Sequence, residues 1–189
     1  MMGNLIILDR DGTINEDSAS YIKSSDEWQP IPGAIEAIAR LSQAGHTIAI
    51  ATNQSGLARG LFDEAALAAM HTKMTTLIEG AGGRIAHIAY CPHGPNDQCR
   101  CRKPGTGLLE NIRDHLGYKT LDNSWMVGDT LRDLQAGEAM GCRLALVKTG
   151  KGKDAEKELT ALRHPSSVMV SHCLQEFADT LIAHTHQNT

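Results

Sequence analysis

The sequence predicts an α/β fold: a doubly wound, mostly parallel sheet with helices on both faces. Three observations predict it. Short aliphatic runs alternate with segments of helical periodicity through most of the chain, the pattern of repeated strand–helix–strand units. The first run, Leu5-Ile6-Ile7-Leu8, is apolar at every position, as a strand covered on both faces must be. Polar, chemistry-bearing residues then follow directly after several of these runs, at the strand ends where open α/β sheets bind ligands.

Taken in order, Leu5 to Leu8 forms the first strand and delivers Asp9 to its carboxyl end, with Asp11 two residues on and Gly12 permitting a sharp turn. Residues 16 to 30 are polar, lack periodicity and carry Tyr21 and Trp28, which predicts a substrate-facing flap. Pro32 and Gly33 open a helix with Ile35, Ile38 and Leu41 on one face, stopped by Gly45. Residues 46 to 51 form the second strand, which ends in Thr52-Asn53-Gln54-Ser55-Gly56, small hydrogen-bonding side chains suited to a phosphate. Asp63 caps a second helix with an apolar stripe of Ala66, Leu67, Met70, Met74, Leu77 and Ile78, ending near Gly80, and His71 is placed on its surface.

Residues 85 to 90 give a third strand that runs into a cysteine-rich loop, and 105 to 116 a helix closed by Gly117. The fourth strand, 124 to 127, ends at Gly128-Asp129; a helix over 131 to 140 and a fifth strand over 143 to 147 follow. Lys148 to His164 reads as polar and solvated, and its Gly150-Lys151-Gly152-Lys153 lacks the glycine spacing and the following Ser or Thr of a P-loop. Residues 167 to 170 form a short edge strand, Leu174 to Ile182 a terminal helix, and 184 to 189 a frayed end.

At 189 residues the chain fits one domain spanning 1–189, with a core large enough for an enzyme. Its 18 basic and 22 acidic residues are intermixed at a net charge of −4, which leaves no basic face for nucleic acid and no polybasic membrane arm. No apolar run reaches the roughly 18 residues of a membrane span, and the N-terminus runs straight into the first strand without a signal peptide. A soluble, cytoplasmic monomer is expected. Of five cysteines, Cys91, Cys99 and Cys101 crowd one loop, while Cys142 and Cys173 stand alone as small buried hydrophobes.

The strand-end residues divide the work of moving a phosphoryl group, which asks mainly for positioning and cationic stabilisation. Asp9 suits a nucleophile that forms an acyl phosphate, and Asp11 a general acid and base. Carboxylates this close repel unless a cation intervenes, which points to magnesium held by Asp9, Asp11 and Asp129, with Asp133 one helical turn later reaching it directly or through water. Thr52 and Asn53 would hold phosphate oxygens and Lys103 would supply a positive charge. The loop 91–101 offers Cys91, His93, Cys99 and Cys101, a set that suits tetrahedral zinc with no open position, hence a structural clip. Arg102 and Lys103 follow the last ligand, so the clip also aims them into the phosphate site.

Together DRDGT, the Thr52-Asn53 strand end, Lys103 and GDTLRD resemble the four motifs of the haloacid dehalogenase (HAD) superfamily phosphatases, from Leu5 to about Val147. That resemblance implies a Rossmann-like core with a minimal cap, an aspartyl-phosphate mechanism and magnesium. It implies Asp9 as nucleophile, Asp11 as acid and base, and Asp9, the backbone carbonyl of Asp11, and Asp129 as metal ligands, with Asp133 matching the second acid of the fourth motif.

The zinc loop, the CRKP that follows it and TNQSGLARG resemble a narrower group, the heptose-bisphosphate phosphatases and their histidinol-phosphate phosphatase relatives; TNQSGLARG is closer to the former. This resemblance implies removal of the 7-phosphate of a heptose 1,7-bisphosphate, a step toward nucleotide-activated heptose for lipopolysaccharide core. It puts Arg102 and Lys103 near substrate phosphate, with Ser55 and Arg59 as further candidates. Histidinol phosphate is the alternative substrate. A metal-binding interaction module without turnover is the competing reading, and the two intact acids, Asp9 and Asp11, argue against it.

Overall fold

In a computed structural model, which describes residues 4–187, the aliphatic run near the start of the chain becomes the centre of the sheet. This strand, β1 (Leu5–Leu8), pairs in parallel with β2 (Thr47–Asn53) on one side and β4 (Trp125–Gly128) on the other, which sets Leu8 beside Ile50 and Val127. β3 (His87–Cys91) adds outside β2, while β5 (Arg143–Val147) and β6 (Met169–Ser171) extend the other side, giving the all-parallel order β3-β2-β1-β4-β5-β6. Strand order reverses between β1 and β4. The crevice at their carboxyl ends is therefore where this architecture binds ligands.

Alternation along the strands sorts side chains to two cores. Ile6, Leu8, Ile48 and Ile50 meet α1 (Ala34–Gln43), α2 (Glu64–Gly80) and α6 (Leu174–Gln187). Leu5, Ile7, Ala49 and Ala51 meet α3 (Gly107–His115) and α4 (Leu131–Ala139) on the opposite face. All four β1 side chains are buried because helices cover both faces. Local signals set the helix starts: Gly33 turns at φ 81 before α1, and Asp63 Oδ1 accepts from Ala66 N at 2.8 Å before α2. Among the described residues no helix is long and apolar enough to cross a membrane.

Several boundaries and placements differ from those read in the sequence. Helix α3 starts at Gly107 rather than 105, and α6 continues past Ile182 to Gln187, so 184–187 is helical where fraying was expected; positions 188 and 189 lie outside the described residues. Leu77 is exposed because it lies beside the buried stripe of Leu67, Met70, Met74 and Ile78. Cys142 is buried but Cys173 is only half-buried. Trp28, expected in a substrate-facing flap, is fully buried in the α1/α2 core with Lys73 donating to its carbonyl at 2.8 Å. The stretch after β5 is not irregular, since α5 (Gly152–Ala155) and a 3-10 segment (Glu156–Ala161) organise it.

Helix α6 is tied to the sheet by Phe177, fully buried and edge-on to Trp125 with ring centroids 5.5 Å apart. Phe177→Ala should therefore lower stability by about 3–5 kcal/mol. Urea unfolding of the variant would show this as a lower midpoint at unchanged m-value, and a loss below about 1 kcal/mol would contradict the packing described.

Candidate active site

Asp9 leaves β1 and Asp129 leaves β4, neighbouring strands, so both carboxylates enter the crevice together. Asp133, from the first turn of α4, joins them, and all three offer oxygens within 4.8 Å of one another. Gly12 permits this approach. It sits at φ 85, and a Cβ there would overlap Asp129 Oδ2. Gly150, at φ 54, presses on the same carboxylate from the loop after β5, where a Cβ would overlap Asp129 and crowd Gly12 Cα.

One cation stands among these acids. The ammonium of Lys103 is buried at 2.8 Å from Asp9 Oδ1 and 2.7 Å from Asp133 Oδ1, and it also donates to Ala51 O. Burial pulls the Lys103 pKa down, but Asp133 and Asp9 outweigh burial and hold it above the ordinary lysine value. Burial and then Asp133, partly offset by Lys103, push Asp9 up to about 7. Burial, Asp9 and Asp133 push Asp129 up to about 8. Three carboxylates against one ammonium leave excess negative charge in a largely buried site.

The donor set fits a hard dication. Asp129 Oδ2 accepts from Lys151 N at 2.8 Å, but its Oδ1 is buried without a hydrogen-bond partner, the kind of oxygen that magnesium takes. Asp133 is more committed, because Oδ1 meets Lys103 while Oδ2 accepts from Thr130 N at 3.0 Å and Thr130 Oγ1 at 2.7 Å. Both of its oxygens are therefore already engaged by protein donors.

The Asp11 carboxylate stands apart from this cluster, among donors. Arg10, fully buried, bonds Oδ1 at 2.9 Å, Asn15 Nδ2 bonds the same oxygen at 2.9 Å, and Gln54 Nε2 bonds Oδ2 at 2.8 Å. Burial alone would raise the Asp11 pKa, yet Arg10, Asn15 and Gln54 together bring it below the ordinary value. The side chain predicted from the sequence as a magnesium ligand is thus occupied by protein donors and lies outside the three-carboxylate cluster.

A cavity of about 250 Å³ opens above the carboxylates, with Asn53, Gln54 and Ser55 on one wall, Arg102, Lys103 and Arg132 on another, and residues of the 17–22 loop across from them. Ser55 and Arg102 thus line the cavity. Asn53 does more than line it, because it accepts from Lys103 N at 3.0 Å and donates to Lys103 O at 3.1 Å, clamping that backbone in place. Thr52 is buried beneath the lining, and its hydroxyl accepts from Gln54 at 2.8 Å. Arg59 is not brought into the cavity; it lies exposed over the Tyr21 ring at 5.7 Å, bracing a residue held at φ 66.

Four residues were missed by the sequence reading. Arg10 and Gln54 carry Asp11, Arg132 lines the cavity, and Lys151 ties the loop after β5 to Asp129 and, through its ammonium, to Asp17 at 3.0 Å. That loop, read as solvated, instead closes the site, with Thr149 Oγ1 donating to Gly12 O at 2.8 Å. His71, placed on the surface, is half-buried; burial and the nearby Arg10 push it down to about 4. Position inside the known motifs was the only available signal for Arg10, Gln54 and Arg132.

In the cysteine loop the donor atoms of Cys91, His93, Cys99 and Cys101 also lie within 4.8 Å of one another. Cys91 Sγ is 3.6 Å from His93 Nδ1 and 3.7 Å from Cys99 Sγ, and His93 Nδ1 is 3.2 Å from Cys101 Sγ. Tetrahedral zinc with bonds of about 2.3 Å separates its ligand atoms by about 3.8 Å. The four residues fit that ion, and Arg102 and Lys103 leave the loop toward the cavity.

Residues 100–176 match the HAD-hydrolase-like family model. The chain is 57% identical over 152 residues to the D-glycero-β-D-manno-heptose-1,7-bisphosphate 7-phosphatase of Pseudomonas aeruginosa, covering 80% of this chain and 85% of that one. It is 47% identical to the enzyme of the same name from Neisseria meningitidis, over 94% of each chain. Its backbone matches the crystal structure of the D,D-heptose 1,7-bisphosphate phosphatase of Bordetella bronchiseptica, complexed with magnesium and phosphate, at TM-score 0.89 and 46% identity, covering 96% of this chain and 99% of that one. Fold and site together define a phosphatase of the HAD class. Within that class, the chain belongs to the D-glycero-β-D-manno-heptose-1,7-bisphosphate 7-phosphatase family.

The raised carboxylates generate a pH prediction. Asp9 and Asp129 bind protons more tightly folded than unfolded, so without metal their contribution to stability is full below about pH 4 and is lost as pH rises through about 7 and 8. A dication bound to the ionised carboxylates reverses that loss. The rise in Tm on adding magnesium should be larger near pH 8.5 than near pH 5.5, and equal shifts at both would contradict the charge balance described.

Proposed function

We propose that this chain is a magnesium-dependent phosphatase that removes the 7-phosphate of D-glycero-β-D-manno-heptose 1,7-bisphosphate through a phosphoryl group carried on Asp9. The observation that carries this reading is the placement of Asp9: a buried carboxylate at the switch point of the sheet, 2.8 Å from a buried ammonium, with a second, hydrogen-bonded acid two residues on. The names of the Pseudomonas and Neisseria relatives, both of the β form, support the anomer and the position of the scissile phosphate.

In this reading Asp9 attacks phosphorus while Asp11 gives a proton to the departing C7 oxygen. Asp11 then takes a proton from water as that water attacks the phosphoryl group on Asp9. Held below the ordinary carboxylate range in the free protein, Asp11 is ready as a base; the negative charge of an arriving phosphate raises its proton affinity for the acid step. Lys103 offsets charge on the transferring group, and Thr52, Asn53 and Ser55 supply donors to its oxygens. Asp9, the Asp11 carbonyl and Asp129 would hold magnesium, with Asp133 behind, and that ion would neutralise the repulsion between carboxylate and phosphate. Arg102 lines the far side of the cavity, and its guanidinium, which donates a long 3.4 Å bond to His93 O, keeps donors suited to the second phosphate. Arg59, which the structure keeps outside the cavity, drops to a brace for Tyr21. Cys91, His93, Cys99 and Cys101 would bind one structural zinc. A cytoplasmic monomer completes the reading.

Asp9→Asn should abolish phosphate release while leaving far-UV circular dichroism and Tm close to wild type, and turnover within tenfold of wild type would remove Asp9 as nucleophile. Purified under reducing conditions, the protein should hold one zinc per chain, and Cys99→Ser should lower Tm and activity together because the thiolate helps fold the loop that aims Lys103. Metal analysis without zinc, or a silent substitution, would exclude the clip. On substrate choice, kcat/KM for the heptose bisphosphate should exceed that for histidinol phosphate by more than about 100-fold, since Arg102 attracts a second phosphate and repels an amine. A reversed preference would overturn the heptose assignment and leave the phosphatase chemistry standing.

A further inference from the structure

The amide nitrogen of Gln54 makes two bonds at once, to Asp11 Oδ2 at 2.8 Å and to Thr52 Oγ1 at 2.8 Å. The side chain is almost fully buried, and its backbone is pinned just beyond β2 by a bond from Gln54 N to Cys91 O at 2.8 Å. A primary amide nitrogen has two protons, so both are committed. We infer that Gln54 is a positioning residue that fixes, from one nitrogen, both the Asp11 oxygen that carries the catalytic proton and the direction of the Thr52 hydroxyl. This role rests on the assignment of Asp11 as acid and base.

The loading of the two Asp11 oxygens identifies which one carries the proton. Oδ1 accepts from Arg10 Nη2 at 2.9 Å, Arg10 Nε at 3.2 Å and Asn15 Nδ2 at 2.9 Å. A carboxylate oxygen has about two lone-pair directions, so Oδ1 is filled. Oδ2 is the less loaded oxygen, with Gln54 at 2.8 Å and Arg10 Nη2 at 3.2 Å against three donors on Oδ1. The proton therefore sits on Oδ2, which passes it to the C7 oxygen as the bond from phosphorus to that oxygen breaks and the bond to Asp9 forms. Water later returns a proton to Oδ2 as its oxygen bonds to phosphorus and the bond to Asp9 breaks. Oδ2 retains acceptor capacity in both protonation states, so the Gln54 bond holds it in place throughout the cycle.

The same amide gives Thr52 its polarity. Because the hydroxyl accepts from Gln54, its own proton is free to be donated toward a phosphate seated on the wall of Asn53, Gln54 and Ser55 above it. Phosphate and acid are thereby spaced by the geometry of one NH2 group. Neither contact could be replaced by a residue that only accepts.

Gln54→Met retains the length and bulk of the side chain and removes both donors. With heptose 1,7-bisphosphate as substrate, kcat should fall about 100-fold, the scale of a displacement of about 1 Å at a reacting group, while KM stays within about threefold. With p-nitrophenyl phosphate, whose leaving group departs without a proton, stopped-flow should show a burst approaching one p-nitrophenolate per active site and then slow turnover. A kcat within about threefold of wild type, a rise in KM alone, or equal slowing of burst and turnover would each overturn the inference. Asp11→Asn in the same assay separates the two levels: if it keeps bisphosphate turnover, the acid–base reading fails, and if it is crippled while Gln54→Met is not, only the role of Gln54 fails.

Discussion

The buried ammonium of Lys103, held between Asp9 and Asp133, is the contact on which the rest of the site depends. It joins three stretches far apart in the chain: the end of β1, the loop after the cysteine cluster and the first turn of α4. Breaking such a buried pair from one side leaves an uncompensated charge and is strongly destabilising, so these stretches are held together by electrostatics as well as packing. The pair also leaves the site short of positive charge. Asp9 and Asp129 respond by holding protons to about 7 and about 8, and a dication or a substrate-bound cation would release them.

Much of the surrounding structure serves to place that ammonium. The cysteine loop ends immediately before Arg102, Asn53 grips the Lys103 peptide on both sides, and the Lys103 ammonium donates back to the end of β2. On the other flank the loop after β5 folds over Asp129 and Gly12, where Gly150 is required because any side chain would strike the carboxylate. The active acids are thus held by rigid strand ends below and by two clamped loops above. This is the arrangement that electrostatic preorganisation requires.

The fold was legible in the sequence because each strand of a two-sided parallel sheet must be aliphatic, and a polar residue after such a run has little choice but to face the crevice. That is why Asp9, Asp129 and the Thr52-Asn53 strand end fell into place. Lys103 could be read because the cysteine–histidine cluster marks where its loop ends. Residues whose roles depend on distant neighbours could not be read: Gln54 acts on Asp11, 43 positions away, and Lys151 on Asp129, 22 positions away. Gly150-Lys151 looked solvated because its polarity is real but its partners are carboxylates rather than water. Trp28 and His71 misled for a related reason, since a polar loop and a polar helix face each conceal one inward side chain that only tertiary packing defines. Arg59 was drawn toward substrate by its motif, whereas Tyr21 claims its guanidinium.

A covalent phosphoryl group on Asp9 is the central claim, and trapping it is the most direct test. The magnesium-loaded protein would be mixed with heptose 1,7-bisphosphate, quenched in acid within milliseconds and reduced with borohydride, which converts an aspartyl phosphate to homoserine. Peptide mass spectrometry should find homoserine at position 9 and unmodified aspartate at positions 11, 129 and 133. Homoserine at another of these positions, or full turnover with none at position 9, would contradict the account.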